Sequence, residues 1–146
     1  MIQLKLSSNA KTPTRGSTLS AGYDLSSCED EIIPVGTRKL IPTGIYLELC
    51  PANAYLRVAP RSGLSCKGID IGAGVVDSDY RGQIKVVVIN NSQEDFKISP
   101  GDRIAQLIPT MLNTSQVSCV DSDNKITYIS HISEVRGADG FGSTGK

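Results

Sequence analysis

The chain has 146 residues, a length that suits one domain with its own core but not two. Its 15 Lys and Arg residues balance 15 Asp and Glu residues, which excludes the broad basic field that attracts nucleic acid or a membrane surface. No apolar run approaches the ~20 residues of a membrane-spanning helix, and the N-terminal segment lacks the apolar core of a signal peptide. We therefore expect a soluble intracellular protein, cytoplasmic or nuclear (in a host cell if viral), with no nucleic-acid or membrane partner.

The cysteine and histidine content narrows the chemistry. The cysteines, at positions 28, 50, 66 and 119, are scattered without a CxxC pair, which predicts free thiols in a reducing compartment. His131 is the single histidine, and this argues against a histidine-based zinc site and against a Ser-His-Asp triad. A metal, if one is used, is expected to be a hard ion bound by oxygen atoms.

The pattern along the chain is one of short strands separated by turn residues. Strands are predicted at 1–6, 21–25, 31–33, 38–41, 44–50, 54–59, on both sides of residues 77–82, and at 96–98, 104–108 and 117–120. One short helix is predicted over 62–67, with Ser62 as its N-cap. Many short strands at regular spacing predict a single all-β domain, a distorted jelly roll or β-barrel. From residue 130 the strand character ends, and 130–146 is expected to be a flexible C-terminal arm.

Residues 72–82 form the most distinctive stretch of the chain. Apolar, β-branched runs on both sides predict a hairpin whose tip holds Asp77, Asp79 and Tyr80. Asp and Ser are common turn residues, so the tip has a purely structural explanation. The functional alternative is a nucleotide-sized pocket with a carboxylate placed to activate water.

Two other segments suit phosphate groups. Residues 60–65 couple Arg61 to a serine-glycine turn at the start of the predicted helix, where a guanidinium and backbone N–H groups would suit a phosphate chain. An ordinary capped helix is the structural alternative. Residues 136–146 interleave Arg136 and Phe141 with glycines and contain no Walker motif. They predict either a mobile tail or a lid that closes over a nucleotide.

The remaining candidates lie in strands. Asp102 and Arg103 could form a surface ion pair. Gln106 alternates with Ile104 and Ile108 and faces their side unless a bulge intervenes, so its amide needs a polar partner such as a ligand oxygen or water. Asp24 could hold the water shell of a metal, or it could cap a turn.

Five segments in this order, 21–25, 60–64, 74–82, 101–108 and 136–145, resemble the five motifs of the trimeric dUTPases, which hydrolyse dUTP to dUMP and pyrophosphate. The resemblance runs from about residue 11 to the C-terminus. It implies a β-jelly-roll that assembles as a homotrimer with shared active sites. The hairpin comes from one subunit, the phosphate-binding segments from a second and the C-terminal lid from the third.

The resemblance also implies residue roles. Asp77 is the general base that activates the attacking water, Tyr80 packs under the deoxyribose, and Asp24 holds Mg²⁺ through water. Main-chain groups near Ile71 and Lys85 read the uracil edge. The other substrate-binding positions are Gly74, Val75 and Val76 in the hairpin, Arg61, Ser62, Gly63 and Gln106 around the phosphates, and Arg136, Phe141, Gly142, Ser143 and Thr144 in the lid.

One departure and two alternatives remain at this point. Asp139 stands where the family usually has glycine, and we expect it to face solvent. The related dCTP deaminases share the fold but use a glutamate near the pyrimidine, and the hairpin contains none. A dUTPase-like binding protein without catalysis is the third possibility, although both the base and the lid are present here.

Overall fold

The structure of the chain is a computed structural model that describes residues 1–113, 115–129, 137–138 and 140. The strands are β1 Gln3–Leu6, β2 Tyr23–Ser26, β3 Glu31–Ile33, β4 Arg38–Leu49, β5 Ala54–Ala59, β6 Ile69–Gly72, β7 Val75–Val76, β8 Gln83–Asn90, β9 Phe96–Ile98, β10 Arg103–Met111, β11 Ser118–Val120 and β12 Ile126–Tyr128. A short helix, α1, spans Ser62–Ser65. The predicted all-β class is confirmed.

Two antiparallel sheets of four strands each form the body of the molecule. Their strand orders are β1-β4-β8-β6 and β2-β10-β5-β7, and two small ladders, β3-β9 and β11-β12, complete the arrangement. Consecutive strands frequently lie in different sheets, as in the predicted jelly roll. None of the helical structure in the described part of the chain is long and apolar enough to cross a membrane.

The core lies between the inner faces of the two sheets. In β8 the buried residues alternate with more exposed ones, so that Ile84, Val86, Val88 and Asn90 point inward, as the two-residue period of a strand requires. Each fully buried aliphatic side chain of this kind stabilises the fold by about 1.5–3 kcal/mol. The core therefore fixes the register of β8, the strand on which one wall of the site is built.

The segment predicted as two strands, 38–41 and 44–50, is a single strand, β4, with a bulge between Pro42 and Ile45. Thr43 is fully buried there. Its hydroxyl donates to the Ile84 carbonyl oxygen and accepts the Ile45 N–H. The side chain thus replaces ladder hydrogen bonds that the bulge interrupts, and the strand continues through residues 42–43, where the sequence predicts a break between two strands.

The helix is shorter than predicted, and the expectation that Ser62 is its N-cap is wrong. Arg61 is the N-cap, with extended backbone angles and no side-chain hydrogen bond to the helix. Its carbonyl oxygen accepts the N–H groups of Leu64 and Ser65 at 3.0 Å each. The turn at residues 61–63 therefore keeps its side chains available for other partners.

The two strands on either side of Asp77, β7 and β8, do not pair with each other as the predicted hairpin requires. β6 pairs with β8, but β7 leaves that sheet and pairs with β5 in the other one. Positive φ angles at Ala73 (54°) and Gly74 (107°) redirect the chain between β6 and β7. Most other predicted strands are present with ends shifted by at most a few residues, whereas β12 was not predicted at all.

Candidate functional site

Because β7 pairs with β5 and not with β8, a cavity of ≈ 240 Å³ lies between the two sheets. Residues that line it are Val58, Gly72, Ala73, Gly74, Val75, Val76, Asp77, Tyr80, Gln83, Ile84, Lys85, Val87 and Gly140. The structure thus brings Gly74, Val75, Val76, Asp77, Tyr80 and Lys85 together, as the sequence predicts. Ile71 is not among the lining residues, and the next pair of the β6–β8 ladder, Gly72 and Val87, lines the cavity instead.

One wall of this cavity is an open strand edge. The β6–β8 pairing stops at Gly72 and Val87, whereas β8 continues to Gln83. On the side where β6 has ended, the main chain of β8 around Lys85 lies without a neighbouring strand among the described residues. Backbone N–H and C=O groups on such an edge need partners, and a planar ligand with hydrogen-bonding edges would supply them.

Gly74 closes the opposite side of the cavity. Its carbonyl oxygen accepts the N–H of Val58 at 2.7 Å, which ties the β6–β7 turn to β5. A Cβ atom at position 74 would lie 2.3 Å from the Val58 carbonyl oxygen. The turn can approach β5 this closely only because residue 74 has no side chain.

Tyr80 forms the floor of the cavity beside Asp77. The Tyr80 N–H donates to the Asp77 carbonyl oxygen at 3.1 Å, and its hydroxyl donates to the Gln83 carbonyl oxygen at 3.1 Å. Burial raises the pKa of the Tyr80 phenol above its ordinary value of 10.0. A Cβ at Gly82 would lie 2.3 Å from the Tyr80 hydroxyl, so the ring position depends on that glycine.

Gln83 is a lining residue that the sequence did not single out. Its side-chain amide donates to the Tyr46 hydroxyl at 3.1 Å. Its Oε1 atom is buried without a hydrogen-bond partner among the described residues. Strand alternation alone does not distinguish Gln83 from any other polar residue at the start of a strand.

A second pocket, of ≈ 200 Å³, is lined by Asp24, Arg61, Ser62, Gly63 and Gln106. These are the residues that the resemblance assigns to phosphates and metal. β10 pairs with both β2 and β5, which places Gln106 between Asp24 and the residues that follow β5. The Gln106 amide donates to the Pro60 carbonyl oxygen at 2.8 Å. The structure confirms that these residues lie together.

Asp24 is held by two arginines rather than capping a turn. Arg61 Nε donates to Asp24 Oδ1 at 3.0 Å, and Arg103 Nη1 donates to Asp24 Oδ2 at 3.0 Å. Arg61 Nη1 also donates to the Arg103 carbonyl oxygen at 3.2 Å. The sequence gives no signal for this triad, because its members come from three separate strands and turns.

Two expectations about the start of β10 are corrected. Asp102 and Arg103 do not pair: Asp102 accepts the Ser99 N–H at 2.8 Å, and Arg103 binds Asp24. A bulge lies between Arg103 and Ala105, so Ile104 and Ala105 are both buried in succession. Gln106 therefore does not share the side of the strand that Ile104 faces.

The described residues fit a metal ion that is coordinated mainly by a bound molecule and by water, with few direct contacts to the protein. Within the described ranges there is no group of three or more His, Cys, Asp or Glu side chains that could bind a metal ion. Asp24 already carries an ion pair on each oxygen, and its remaining lone pairs can accept hydrogen bonds from metal-bound water. This environment suits a hard cation whose direct ligands are phosphate and water oxygens.

A short part of the C-terminal segment contacts the first cavity in the same chain. Gly137 forms a parallel bridge with Tyr80, and its carbonyl oxygen accepts the Arg81 N–H at 2.6 Å. Gly140 lines the cavity. The predicted lid residues Arg136, Phe141, Gly142, Ser143 and Thr144, and also Asp139, lie outside the described residues. In the single chain Gly137 and Gly140 lie against Tyr80 and the first cavity, whereas the resemblance implies a lid from another subunit.

A jelly roll that carries these two pockets is the architecture of a known class of nucleotide hydrolases. The sequence model of the dUTPase family matches residues 8–145. The chain belongs to the dUTPase family.

Particular relatives bear the name deoxyuridine 5'-triphosphate nucleotidohydrolase. The one from Oryza sativa subsp. japonica is 47% identical over 142 residues, which cover 97% of this chain and 78% of the relative. The one from cowpox virus is 50% identical over 145 residues, which cover 97% of this chain and 90% of the relative.

Solved structures show the same fold. A mutant dUTPase of Staphylococcus bacteriophage 80alpha, bound to dUpNHpp, superposes with a TM-score of 0.76 at 26% identity and covers 100% of this chain and 99% of its own. A mutant dUTPase from phage phi11 of S. aureus, which coordinates a structural Mg(II) ion, has a TM-score of 0.75 at 24% identity, with 84% and 97% coverage.

Proposed function

We propose that the chain hydrolyses dUTP to dUMP and pyrophosphate, with Asp77 as the general base. The observation that carries this proposal is the position of Asp77 in a cavity whose wall is the open edge of β8, in a chain of the dUTPase family. A carboxylate beside a bound triphosphate can accept the proton of the water that attacks the α-phosphorus in line. The displaced pyrophosphate is the leaving group.

The open edge of β8 supports recognition of uracil by main-chain atoms. Uracil offers an acceptor–donor–acceptor edge, and backbone groups near Lys85, beside Gly72 at the end of β6, can match it without a specific side chain. The close packing of Gly74 against Val58 keeps the cavity narrow. A narrow cavity excludes the methyl group of thymine, and the cytosine amino group mismatches the backbone donors.

Tyr80 supports selection of the deoxyribose. Its ring is fixed by the hydroxyl contact to Gln83 and by the close approach of Gly82. A fixed ring under the sugar leaves no room for a 2′-hydroxyl, and such steric exclusion provides the discrimination against UTP.

The second pocket supports binding of the phosphates. Arg61, Ser62, Gly63 and Gln106 line it together, and a guanidinium beside a serine–glycine turn is a strong phosphate ligand. Mg²⁺ would be held by phosphate oxygens and, through water, by Asp24, and when bound it neutralises charge on the triphosphate. The lid residues Arg136, Phe141, Gly142, Ser143 and Thr144 would add contacts to the γ-phosphate and to the uracil ring.

The distribution of the pockets supports a homotrimer with shared sites. The two pockets have no lining residue in common, and a nucleotide with its base in the first pocket and its phosphates in the second needs residues from both. The stretch from the last residue of β10 to position 129 exposes many large apolar side chains: Met111, Leu112, Val117, Val120, Ile126, Tyr128 and Ile129. Exposed apolar surface of this extent is typical of a protein interface. We also infer an intracellular location, since the four cysteines are free thiols.

Substitution of Asp77 by Asn tests the mechanism. The amide preserves the shape of the side chain but cannot accept the proton of water. We expect pyrophosphate release from dUTP to fall by about a thousandfold or more, with dUTP binding retained in calorimetry.

Asp79→Asn is the matched control, because it changes the neighbouring carboxylate of the same turn and should retain most of the activity. Unchanged turnover in Asp77→Asn contradicts the mechanism. Release of ammonia from dCTP by the wild-type chain contradicts the reaction itself, since only a deaminase produces it.

Deletion of residues 136–146 tests the lid. We expect turnover of dUTP to fall strongly while the fold and the trimer persist, because both four-stranded sheets are formed by strands within residues 3–111. Circular dichroism and sedimentation velocity report the fold and the assembly. A dissociated or unfolded product would show that the segment is structural.

A further inference from the structure

The carboxylate of Asp24 bridges two guanidinium groups, one on each oxygen. The second pocket, lined by Asp24, Arg61, Ser62, Gly63 and Gln106, is the proposed phosphate pocket. Arg61 is part of its lining, whereas Arg103 is not. Two contacts connect Arg103 to Arg61. Both side chains bind the carboxylate of Asp24, and the main-chain carbonyl oxygen of Arg103 accepts a hydrogen bond from Arg61 Nη1 at 3.2 Å. The position of Arg61 therefore depends on a residue that does not itself line the pocket.

The hydrogen bonds of Arg61 leave part of its guanidinium available. A guanidinium has five N–H donors, of which one on Nε and one on Nη1 are used by Asp24 and Arg103. The remaining donors can serve a ligand. Two fixed contacts already hold the planar group in one orientation. Phosphate binding therefore costs little further conformational entropy of the Arg61 side chain.

The charge balance of the cluster depends on Arg103. Arg61 and Asp24 alone would form a neutral pair, in which a carboxylate next to the pocket repels a phosphate. Arg103 adds a second positive charge at 3.0 Å from Asp24, which leaves the three side chains with a net charge of +1. The Asp24 side chain is only 17% exposed, so solvent screens this balance less than it would at the open surface.

We propose that Arg103 is a positioning residue for the phosphate pocket: through Asp24 and its own carbonyl oxygen it orients Arg61, and its charge offsets that of Asp24. This inference rests on the proposed function, because it assumes that the pocket receives the phosphates of the substrate. It assigns a role to Arg103 in binding the phosphate chain, but none in binding the nucleoside.

The experiment compares binding of dUpNHpp and of deoxyuridine to Arg103→Ala, Arg103→Lys and the wild-type chain by calorimetry at constant Mg²⁺. Loss of one charge-assisted positioning contact is expected to weaken dUpNHpp binding about tenfold or more. Deoxyuridine binding should not change, since it lacks phosphates. Arg103→Lys should recover most of the affinity, because an ammonium group keeps the charge beside Asp24 and the carbonyl contact to Arg61 is in the main chain.

A double-mutant cycle separates positioning from an independent effect. If Arg103 acts partly through Arg61, Arg103→Ala should weaken dUpNHpp binding less in the Arg61→Ala background than in the wild-type chain, and the charge offset at Asp24 accounts for what remains. Arg38→Ala, which removes an exposed arginine from the start of β4, is the charge-matched control and should bind like the wild type. Thermal unfolding monitors the fold of each variant, and Arg103→Gln replaces the alanine variant if the latter unfolds.

Wild-type affinity for dUpNHpp in Arg103→Ala, equal weakening of deoxyuridine binding, or full additivity with Arg61→Ala would overturn the inference. Its failure is distinct from failure of the proposed function. In the first case the wild-type chain still hydrolyses dUTP, whereas in the second the wild-type chain does not hydrolyse dUTP at all.

Discussion

Burial divides the cysteine side chains into two kinds. All four are free thiols; Cys28 is 7% exposed, whereas Cys66 and Cys119 are exposed. Burial, with a smaller effect of the Glu29 charge, raises the pKa of the Cys28 thiol, and burial likewise raises the pKa of Cys50. Since the thiolate is the reactive form, a raised pKa means less thiolate at any given pH. Cys66 is exposed and directly follows α1, the helix that begins beside Arg61.

Thiol labelling of the native chain should therefore be selective. We expect a disulfide reagent at pH 8 to modify Cys66 at least about tenfold faster than Cys28, and the rate at Cys28 should rise as pH increases toward its raised pKa. Cys66→Ser should remove a fast phase of labelling that Cys28→Ser leaves intact. Comparable rates at the two positions in the folded chain would contradict the described burial.

At the scale of elements, the site depends on β7 joining the opposite sheet. The two residues of β7 pair with Leu56 and Arg57 of β5, and this leaves the edge of β8 open. The hydrogen bond from Val58 to Gly74 holds the turn before β7 in place. The cavity therefore exists because β7 pairs with β5 in the other sheet and not with β8.

Gly74→Ala should damage both stability and substrate binding. The substitution combines a φ of 107° with a Cβ position 2.3 Å from the Val58 carbonyl oxygen, and we expect it to lower the free energy of unfolding by about 2–4 kcal/mol. Urea unfolding and the KM for dUTP are the measurements.

Gly36→Ala is the matched control. Gly36 also has a positive φ, 71°, but an added Cβ would contact nothing within 4 Å. Its cost should be limited to the conformational term of about 1–2 kcal/mol, with no effect on KM. Equal effects of the two substitutions would show that the close approach to β5 is unimportant.

Local patterns predicted the position of most strands but not their partners. The alternation and turn residues around 31–33, 54–59 and 96–98 gave the observed bounds, because strand and turn preferences act over a few residues. Pairing is decided over long separations, as between β7 and β5, and the predicted break at residues 42–43 is absent because Thr43 stabilises a bulge there.

The same limit explains the partial prediction of the site. Asp77, Tyr80 and Arg61 were predicted as candidates because their segments carry distinctive residue combinations, and the structure places them in the lining of the two pockets. The Asp24–Arg103 contact spans 79 positions, and Gln83 enters the cavity only because β6 has ended. Both are consequences of tertiary packing that no short stretch of sequence contains.

At the scale of the whole molecule, the β11–β12 hairpin is poorly packed against the rest of the described chain. All six of its residues are exposed, and it pairs with no other strand in the described chain. An isolated two-stranded hairpin is marginally stable in water. Its apolar side chains therefore need a covering surface, and neighbouring subunits of the proposed trimer would supply one.

Ile126→Lys should consequently dissociate the trimer. A buried lysine at an interface loses solvation without a partner, and we expect sedimentation velocity to show a shift toward monomer, with loss of activity. Ile32→Lys is the control, because Ile32 has a similar exposure, 52% against 55% for Ile126, but lies on β3. A wild-type chain that sediments as a monomer, or an Ile126→Lys variant that remains trimeric, would contradict this assignment.

The separation of the two pockets has a genetic consequence. If one chain gives Asp77 to one site and Arg61 to the next, an allele defective in Asp77 and an allele defective in Arg61 damage different halves of each site. Mixed trimers formed from the two gene products would contain some sites with both residues intact. Two inactive alleles of this gene would then complement each other in a cell that expresses both, as alleles of an enzyme with self-contained sites would not.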